Sequence, residues 1–308
     1  MQALLQVGLL VIGFVMLVKG ADVFVDGASG IAGKFGIPQL IIGLTIVAMG
    51  TSAPEAAVSI TAAFKGSADI TIGNVVGSNI LNILIILGIT SIIRTLNVKE
   101  SLVRVEIPYM IGVSALMLIL GLNGTVSRID GIILWVFFLI FLYYLLKQAQ
   151  NGKEEEVIQE KPLWTNLIFT VLGIACIVAG SDISVSAASA LARMFGMSER
   201  FIGLTIVALG TSLPELMTSV MAARKGNADI AIGNIVGSNI FNYLFVVGTS
   251  ALIIPVPFQS KFIVDASIAI LAAVILYFCC WKDRHLQKKE GFLMLACYAL
   301  YFGYLCIV

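Results

Sequence analysis

One segment of this chain occurs twice. Residues 43–88 align with residues 203–248 without a gap, and about 30 of these 46 positions are identical. The offset of 160 positions divides the 308 residues into two similar halves. Duplication on this scale predicts two structural units with the same order of elements. The fold must therefore be built from two copies of one unit.

The composition indicates that both copies lie in a membrane. Hydrophobic residues make up 59% of the chain and charged residues only 12%, with a mean hydropathy of +1.02, whereas soluble domains carry about 25% charged residues. The formal net charge of +1 gives no indication of a nucleic-acid partner. The five cysteines show no metal-binding spacing. We therefore expect an all-α, polytopic membrane protein that needs no cofactor.

Ten stretches approach the roughly 20 apolar residues that a transmembrane helix needs. Their predicted extents are residues 2–20, 39–64, 69–94, 103–121, 129–148, 164–181, 201–224, 229–254, 262–281 and 291–308. Five belong to a first unit (1–148) and five to a second unit (164–308), joined by a cytoplasmic linker (149–163). Because five is odd, the second unit must enter the membrane from the opposite side. The sequence thus predicts two inverted five-helix repeats, an organisation common among secondary transporters.

The distribution of Lys and Arg predicts the orientation. If the N-terminus lies outside, the inside loops hold 14 of the 19 basic residues, and the outside loops hold the other five, Lys65, Arg128, Arg193, Arg200 and Lys261. Such an excess is typical of cytoplasmic loops. We expect a plasma-membrane protein with both termini outside, functional as a monomer in the bilayer. Carboxylates near the ends of the spans, such as Glu106, are expected at the membrane interface.

Each half carries a glutamate directly after a proline inside an apolar span. The first copy reads GTSAPEAAVS (50–59) and the second GTSLPELMTS (210–219). Proline has no N–H, so the helix should break and free carbonyl groups around residues 48–51, which lipid cannot satisfy but a cation can. Oxygen-bearing side chains recur every fourth residue on one side of each helix. They are Thr51, Glu55 and Ser59, and Thr211, Glu215 and Ser219, with Ser52 and Ser212 beside the breaks.

The following span of each half carries a second polar stripe. It reads GNVVGSNILN (73–82) and GNIVGSNIFN (233–242), and its polar positions are Asn74, Ser78 and Asn82, and Asn234, Ser238 and Asn242. The GxxxG pairs within these segments would let another helix approach closely. Asn74 and Asn234 have two open interpretations, as ion ligands or as residues that hydrogen-bond across helices.

The candidate ligands are all oxygen atoms, which Ca²⁺ and Na⁺ prefer, whereas Zn²⁺ and copper favour nitrogen or sulfur. Two glutamates supply two negative charges, which one Ca²⁺ neutralises. A proline kink with a neighbouring glutamate can also be purely structural. Its occurrence in both halves with the same neighbours favours a functional site.

The motif pairs GLTIVAMGTSAPE with GNVVGSNILN, and GLTIVALGTSLPE with GNIVGSNIFN, resemble the two α-repeats of the cation/Ca²⁺ exchanger superfamily. The sequence is most similar to the branch of prokaryotic Na⁺/Ca²⁺ exchangers, and the resemblance covers essentially the whole chain. It implies ten helices, two repeats packed face to face, broken second and seventh helices, and Na⁺-driven Ca²⁺ extrusion.

The resemblance also implies roles for individual positions. Matching Ca²⁺ ligands are Glu55, Glu215, Thr51 and Thr211. Matching Na⁺ ligands are Ala48, Thr51, Glu55, Ser78, Ala208, Thr211, Glu215 and Ser238. The implied lining comprises Ser52, Ser212, Asn82 and Asn242, to which the stripe adds Asn74 and Asn234.

Departures from other branches of the superfamily narrow the expected coupling. The potassium-dependent exchangers have Asp at the position of Asn242, so the resemblance favours a K⁺-independent antiporter. The proton-driven branch typically has a GNxxE-type motif in place of GTSxPE, and that motif is absent here. The resemblance therefore disfavours antiport of H⁺ against Ca²⁺ or another divalent cation, which stays open as the alternative. A channel or an intramembrane enzyme is the third hypothesis, and for the enzyme no HExxH, GxGD or Ser–Lys arrangement occurs.

Overall fold

The computed structural model describes residues 2–151, 161–196 and 208–307 and is almost entirely helical there. The helices in these ranges are α1 (Gln2–Phe35), α2 (Gln39–Thr51), α3 (Ala53–Phe64), α4 (Ile70–Ile93), α5 (Leu102–Gly121), α6 (Arg128–Asn151), α7 (Leu163–Met194), α8 (Ala208–Thr211), α9 (Leu213–Arg224), α10 (Ala228–Ile253), α11 (Lys261–Trp281) and α12 (Lys288–Ile307). Four two-residue strands lie in the connections: β1 (Leu96–Asn97), β2 (Thr125–Val126), β3 (Val256–Pro257) and β4 (His285–Leu286).

The predicted break in the second span is present. Helices α2 and α3 meet at Ser52 with a bend of 49°. Pro54 lies in the first turn of α3, where its missing N–H costs no helical hydrogen bond. The second half repeats the arrangement, because Ser212 separates α8 from α9 and Pro214 lies in the first turn of α9.

Seven continuous helices in the described ranges are long and apolar enough to cross a membrane, and the bent pair α2–α3 is an eighth candidate. Two of the ten predicted spans are not in that set. The span 201–224 begins in residues outside the described ranges, and the span 291–308 coincides with α12, whose first turn carries Lys288, Lys289 and Glu290. The count of ten spans therefore stays a prediction.

Helices α1 and α7 extend well beyond the predicted spans 2–20 and 164–181. They contain 34 and 32 residues, about 50 Å each at 1.5 Å per residue. Glycines explain how the two helices pack along each other. A Cβ atom on Gly27 would lie 2.5 Å from the backbone nitrogen of Thr170, and one on Gly173 would lie 2.6 Å from that of Phe24. The contact continues past the predicted span ends and supports the longer helices.

Several elements of the first half recur at an offset of about 160 residues in the described part of the second half. Helix α9 matches α3, β3 matches β1 and β4 matches β2. Two π-helical segments, Asn82–Leu87 in α4 and Asn242–Val247 in α10, also match residue for residue. The strands pair crosswise, β1 with β4 and β2 with β3, both antiparallel. Each pair joins a connection of one half to a connection of the other.

Helix α10 lies at the centre of the molecule, and every residue from Ile230 to Phe241 is buried. Its GxxxG pair lets α2 approach closely, as predicted. A Cβ atom on Gly233 would lie 2.9 Å from the carbonyl oxygen of Leu40, and one on Gly237 would lie 2.7 Å from that of Leu44. This packing holds the break after α2 against the polar stripe of α10.

Candidate cation-binding site

Of the two glutamate side chains, only that of Glu215 has a carboxylate oxygen with a hydrogen-bond partner among the described residues. Its side chain is buried, with 1% exposed, and the hydroxyl of Ser52 donates a hydrogen bond of 2.8 Å to Oε1. No described group hydrogen-bonds to Oε2. Because Ser52 belongs to the first-half break, this bond joins the two halves at the site.

Glu55 is equally buried, also at 1% exposed, but neither of its carboxylate oxygens has a hydrogen-bond partner among the described residues. Its surroundings include the side chains of Thr211 and Ser78 and the carboxylate of Glu215. Two buried carboxylates, one from each half, therefore lie close enough to interact electrostatically. Such a pair is costly in a membrane-embedded site without a compensating positive charge.

The hydroxyl of Thr51 does not point freely into the site. It lies 2.9 Å from Oδ1 of Asn234, an acceptor, and 3.1 Å from the carbonyl oxygen of Val47. With that hydroxyl engaged, the backbone carbonyl is the group Thr51 can offer to a cation. Ser238 lies beside the same break, with Oγ 3.4 Å from the carbonyl oxygen of Ala48.

The matching positions of the other half are described in part. Ser78 is buried near Glu55, and Thr211 is half-buried at the end of α8. Ala208 begins α8, but its side chain lies outside the described atoms. Ser212 is buried, and its hydroxyl has no hydrogen-bond partner in the described ranges, unlike that of Ser52.

Asn74 and Asn234 hydrogen-bond across helices, one of their two open interpretations. Asn74 Nδ2 donates to the carbonyl oxygen of Glu55 at 3.2 Å and to Ser59 Oγ at 2.9 Å. Asn234 Nδ2 makes the same pair of bonds, at 3.3 Å to the carbonyl oxygen of Glu215 and 2.9 Å to Ser219 Oγ. These bonds fix each glutamate-bearing helix against the polar stripe that follows it.

Three polar residues near the site were not predicted from the sequence. Ser181 of α7 donates a 2.6 Å hydrogen bond to the carbonyl oxygen of Gly210, the group that Pro214 leaves without its helical donor. The freed carbonyl in the second half is therefore satisfied by a hydroxyl.

Asn79 and Asn239 bond to each other's backbone and to Asn242 and Asn82. The repeat could have indicated Asn79 and Asn239, because the dipeptide SN occurs at both 78–79 and 238–239. However, these asparagines do not lie on the helix face of the polar stripe formed by every fourth residue.

A group of buried oxygens at this place has no hydrogen-bond partner in the part of the chain that the structure describes. They are Glu55 Oε1 and Oε2, Glu215 Oε2, Asn82 Oδ1, Asn242 Oδ1 and Ser212 Oγ. Leaving such atoms unpaired is unfavourable, and all of them are acceptors able to ligate a hard cation. The donor chemistry therefore fits a Ca²⁺ or Na⁺ ion as the cargo of the site.

A cavity of about 800 Å³ lies between α3 and α7 and reaches the second-half break. Its lining is mostly apolar and includes Pro54, Ala57, Val178 and Asp182, together with Gly210 and Thr211. The cavity therefore lies beside α3, the helix that carries Glu55, and borders the end of α8.

The long apolar helices indicate an integral membrane protein, and the buried acceptor group fits a hard cation. Comparisons with known proteins identify the family. The sequence profile of the sodium/calcium exchanger protein family matches residues 5–147 and 165–307, so this chain belongs to that family. Its members are transporters, not enzymes.

Individual relatives span nearly the full chain. The sodium/calcium exchanger MaX1 of Methanosarcina acetivorans is 31% identical, over 95% of this chain and 96% of its own length. The inner membrane protein YrbG of Escherichia coli is 39% identical, over 94% of this chain and 92% of its own. A structure of the sodium-calcium exchanger NCX_Mj soaked with 10 mM Na⁺ and zero Ca²⁺ has a TM-score of 0.86 at 31% identity, covering 98% of this chain and 99% of that chain.

Proposed function

We propose that this protein is a secondary active antiporter that exchanges Na⁺ for Ca²⁺ by alternating access. The observation that carries the proposal is the pair Glu55 and Glu215, one from each half and each 1% exposed. Three of their four carboxylate oxygens have no hydrogen-bond partner among the described residues. One Ca²⁺ neutralises both charges. Na⁺ ions need the same oxygens and cannot bind there while Ca²⁺ does, which is the simplest basis for exchange.

The proposed ligands follow the two breaks. Glu55, Glu215 and the carbonyl groups of Thr51 and Thr211 would hold Ca²⁺. Na⁺ would use these positions together with Ala48, Ser78, Ala208 and Ser238. The engaged hydroxyl of Thr51 supports its proposed role as a carbonyl donor.

Differences between the halves support alternating access. Lys225 Nζ lies 2.7 Å from Asp22 Oδ1 and 2.6 Å from Asp26 Oδ1, so it ties α1 to the end of α9. The residues 160 positions away from Lys225 and Asp22 are Lys65 and Asp182, and these two form no ion pair with each other. The cavity lies on that second side, between α3 and α7. One side is closed by an ion pair and the other is open, as an intermediate of alternating access requires.

The proposed arrangement in the membrane has ten spans in two inverted units, 1–148 and 164–308, joined by a cytoplasmic linker at 149–163. Both termini would lie outside the plasma membrane, and one chain would suffice for transport. The strand pairs support the division of the connections between the two sides of the membrane. The β1–β4 pair joins two connections that the basic residues predict to be inside, and the β2–β3 pair joins two predicted to be outside.

We also propose that Ca²⁺ transport is coupled to Na⁺ and does not require K⁺. With Asn at position 242, the acceptor group contains two carboxylates. The relative MaX1, which this chain matches over 96% of its length, is named a sodium/calcium exchanger. The alternative is antiport of H⁺ against Ca²⁺ or another divalent cation, because protons can also neutralise Glu55 and Glu215.

Flux in proteoliposomes tests the proposal. Vesicles loaded with Na⁺ and diluted into Na⁺-free medium should take up radiolabelled Ca²⁺, with no requirement for K⁺ on either side. Uptake that ignores the Na⁺ gradient and follows a pH gradient would establish the H⁺-coupled alternative. Downhill Ca²⁺ leak without any counter-ion would instead indicate a channel.

A further inference from the structure

We propose that Asn79 and Asn239 are positioning residues for cation binding. Each fixes the side-chain amide of an asparagine in the opposite half, Asn242 and Asn82 respectively, so that the amide oxygen and not the NH₂ group faces the transported ion. The proposal rests on the proposed function, because it assumes that the acceptor group receives the ion.

Four asparagine side chains form a closed hydrogen-bond network between α4 and α10. Asn79 Nδ2 donates to the backbone carbonyl of Asn239 at 3.2 Å, and Asn239 Nδ2 donates to that of Asn79 at 3.1 Å. Asn82 Nδ2 donates to Asn239 Oδ1 at 2.9 Å, and Asn242 Nδ2 donates to Asn79 Oδ1 at 3.0 Å. All four side chains are buried. Exchanging the two halves leaves the pattern unchanged.

The direction of every bond in this network follows from one constraint. A backbone carbonyl can only accept a hydrogen bond. Asn239 must therefore turn its NH₂ group towards the carbonyl of Asn79, which puts its own Oδ1 on the opposite side. Asn82 meets that oxygen and must donate through its NH₂ group, so its Oδ1 faces away. The same steps lead from Asn79 to Asn242.

The two oxygens that face away are the ones left without partners. Oδ1 of Asn82 and Oδ1 of Asn242 are buried and make no hydrogen bond to any described group. An amide that was free to rotate could present its NH₂ group in place of this oxygen. The network prevents that rotation and keeps two neutral acceptors available to a cation.

The location of both amides suits this role. Asn82 lies one helical turn after Ser78 and begins a π-helical segment that contacts α9, the helix of Glu215. Asn242 begins the matching segment, which contacts α3, the helix of Glu55. π-helical turns occur frequently at functional sites. Each segment that begins with one of the oriented asparagines therefore contacts the glutamate-bearing helix of the other half.

A network that served only to join the two halves would need fewer hydrogen bonds. The reciprocal bonds between Asn79 and Asn239 would join α4 to α10 without any contribution from Asn82 or Asn242. The additional bonds matter only if the orientation of those two amides matters. The difference between the two explanations can be measured.

A pair of double-mutant cycles tests the proposal, read out as the half-saturating Ca²⁺ concentration of Na⁺-driven uptake. Asn239→Ala should raise that concentration on the order of tenfold, a typical size for coupling between residues in contact. In an Asn82→Ala background the same substitution should have almost no further effect, because the amide that Asn239 orients is already absent. In an Asn242→Ala background it should keep its full effect, which makes Asn242→Ala the matched control.

The mirror-image cycles extend the test. Asn79→Ala should be non-additive with Asn242→Ala and additive with Asn82→Ala. If alanine at 79 or 239 prevents folding, leucine, which fills similar space without polar groups, carries the same expectations. Additive effects in all four combinations, or a lower maximal rate with an unchanged half-saturating concentration, would overturn the positioning role.

The outcomes separate this proposal from the proposed function. If Glu55→Gln and Asn82→Ala both transport Ca²⁺ like the wild type, the site itself has been misassigned. If those variants are impaired but every asparagine cycle is additive, the site stands and only the positioning role fails.

Discussion

The hydroxyl of Ser52 donates a 2.8 Å hydrogen bond to Oε1 of Glu215, whereas the hydroxyl of Ser212, at the equivalent position of the other half, has no partner among the described residues. The two breaks have similar sequences but unequal contacts. We interpret the difference as a property of one conformation in a cycle, because a fully symmetric arrangement would engage both serines or neither.

The inequality predicts different effects of two matched substitutions on stability. Ser52→Ala should lower the free energy of unfolding by about 1–3 kcal/mol, because it removes a donor to a buried carboxylate. Ser212→Ala should leave it unchanged or raise it, since no bond is lost and a buried unpaired hydroxyl is removed. Unfolding of both variants in detergent without Ca²⁺ gives the comparison. Equal destabilisation would contradict the asymmetry.

Removing one charge from the acceptor group should abolish exchange. Glu55→Gln or Glu215→Gln should reduce Ca²⁺ uptake on the order of 100-fold or more, because a unit charge at 4 Å contributes about 4 kcal/mol at an effective dielectric constant of about 20. Glu106→Gln is the control. That carboxylate is also buried, at 2% exposed, but it accepts a 2.7 Å bond from Tyr144 on α6 and lies outside the acceptor group.

Uptake in proteoliposomes, normalised to reconstituted protein, measures these variants. Retained wild-type flux in either site variant would refute the assignment of the glutamates. Loss of flux in Glu106→Gln as well would show that transport requires buried carboxylates in general and not the two glutamates of the site in particular.

The local sequence pattern predicted much of the candidate site. Pro54 and Pro214 force the helix breaks through their own covalent structure, so the breaks could be located from the sequence. Asn74 and Asn234 were found through helical periodicity, but the periodicity could not decide between ion binding and the cross-helix bonds they form.

Other features depend on contacts between distant segments and were not predictable. Ser181 caps the carbonyl of Gly210 from α7, and nothing around residue 181 indicates this. Glu106 was expected at the membrane interface because it lies near a span end. The structure adds that α6 packs against the first turns of α5 and buries this carboxylate, which accepts a hydrogen bond from Tyr144. Its position at the membrane interface stays a prediction. The lengths of α1 and α7 were underestimated because glycine packing between them continues past the apolar stretches.

The close approach of α2 to α10 predicts the effect of a single methyl group. In Gly237→Ala the added Cβ would lie 2.7 Å from the carbonyl oxygen of Leu44, so α2 must move and carry the first-half break with it. Ca²⁺ uptake should fall about tenfold or more, since small displacements of ligands are costly in catalysis and binding.

Gly112→Ala is the matched control for this substitution. A Cβ there meets no atom within 4 Å, and alanine is favoured over glycine in a helix by about 1 kcal/mol. Uptake should be unchanged and stability equal or higher. Unimpaired uptake in Gly237→Ala would show that α2 tolerates displacement and that its packing does not determine the site geometry.

The ion pair of Lys225 predicts a shift in conformation. Lys225→Met removes the bonds to Asp22 and Asp26 and should favour the state in which that side opens and the cavity between α3 and α7 closes. A cysteine at Ala57, which lines the cavity, reports on this in a background without the native cysteines. Its labelling by a polar thiol reagent should slow severalfold in Lys225→Met. Lys65→Met, at the equivalent position without an ion pair to Asp182, should leave the labelling rate unchanged. Faster labelling in Lys225→Met, or equal effects of both substitutions, would contradict a closing role for this ion pair.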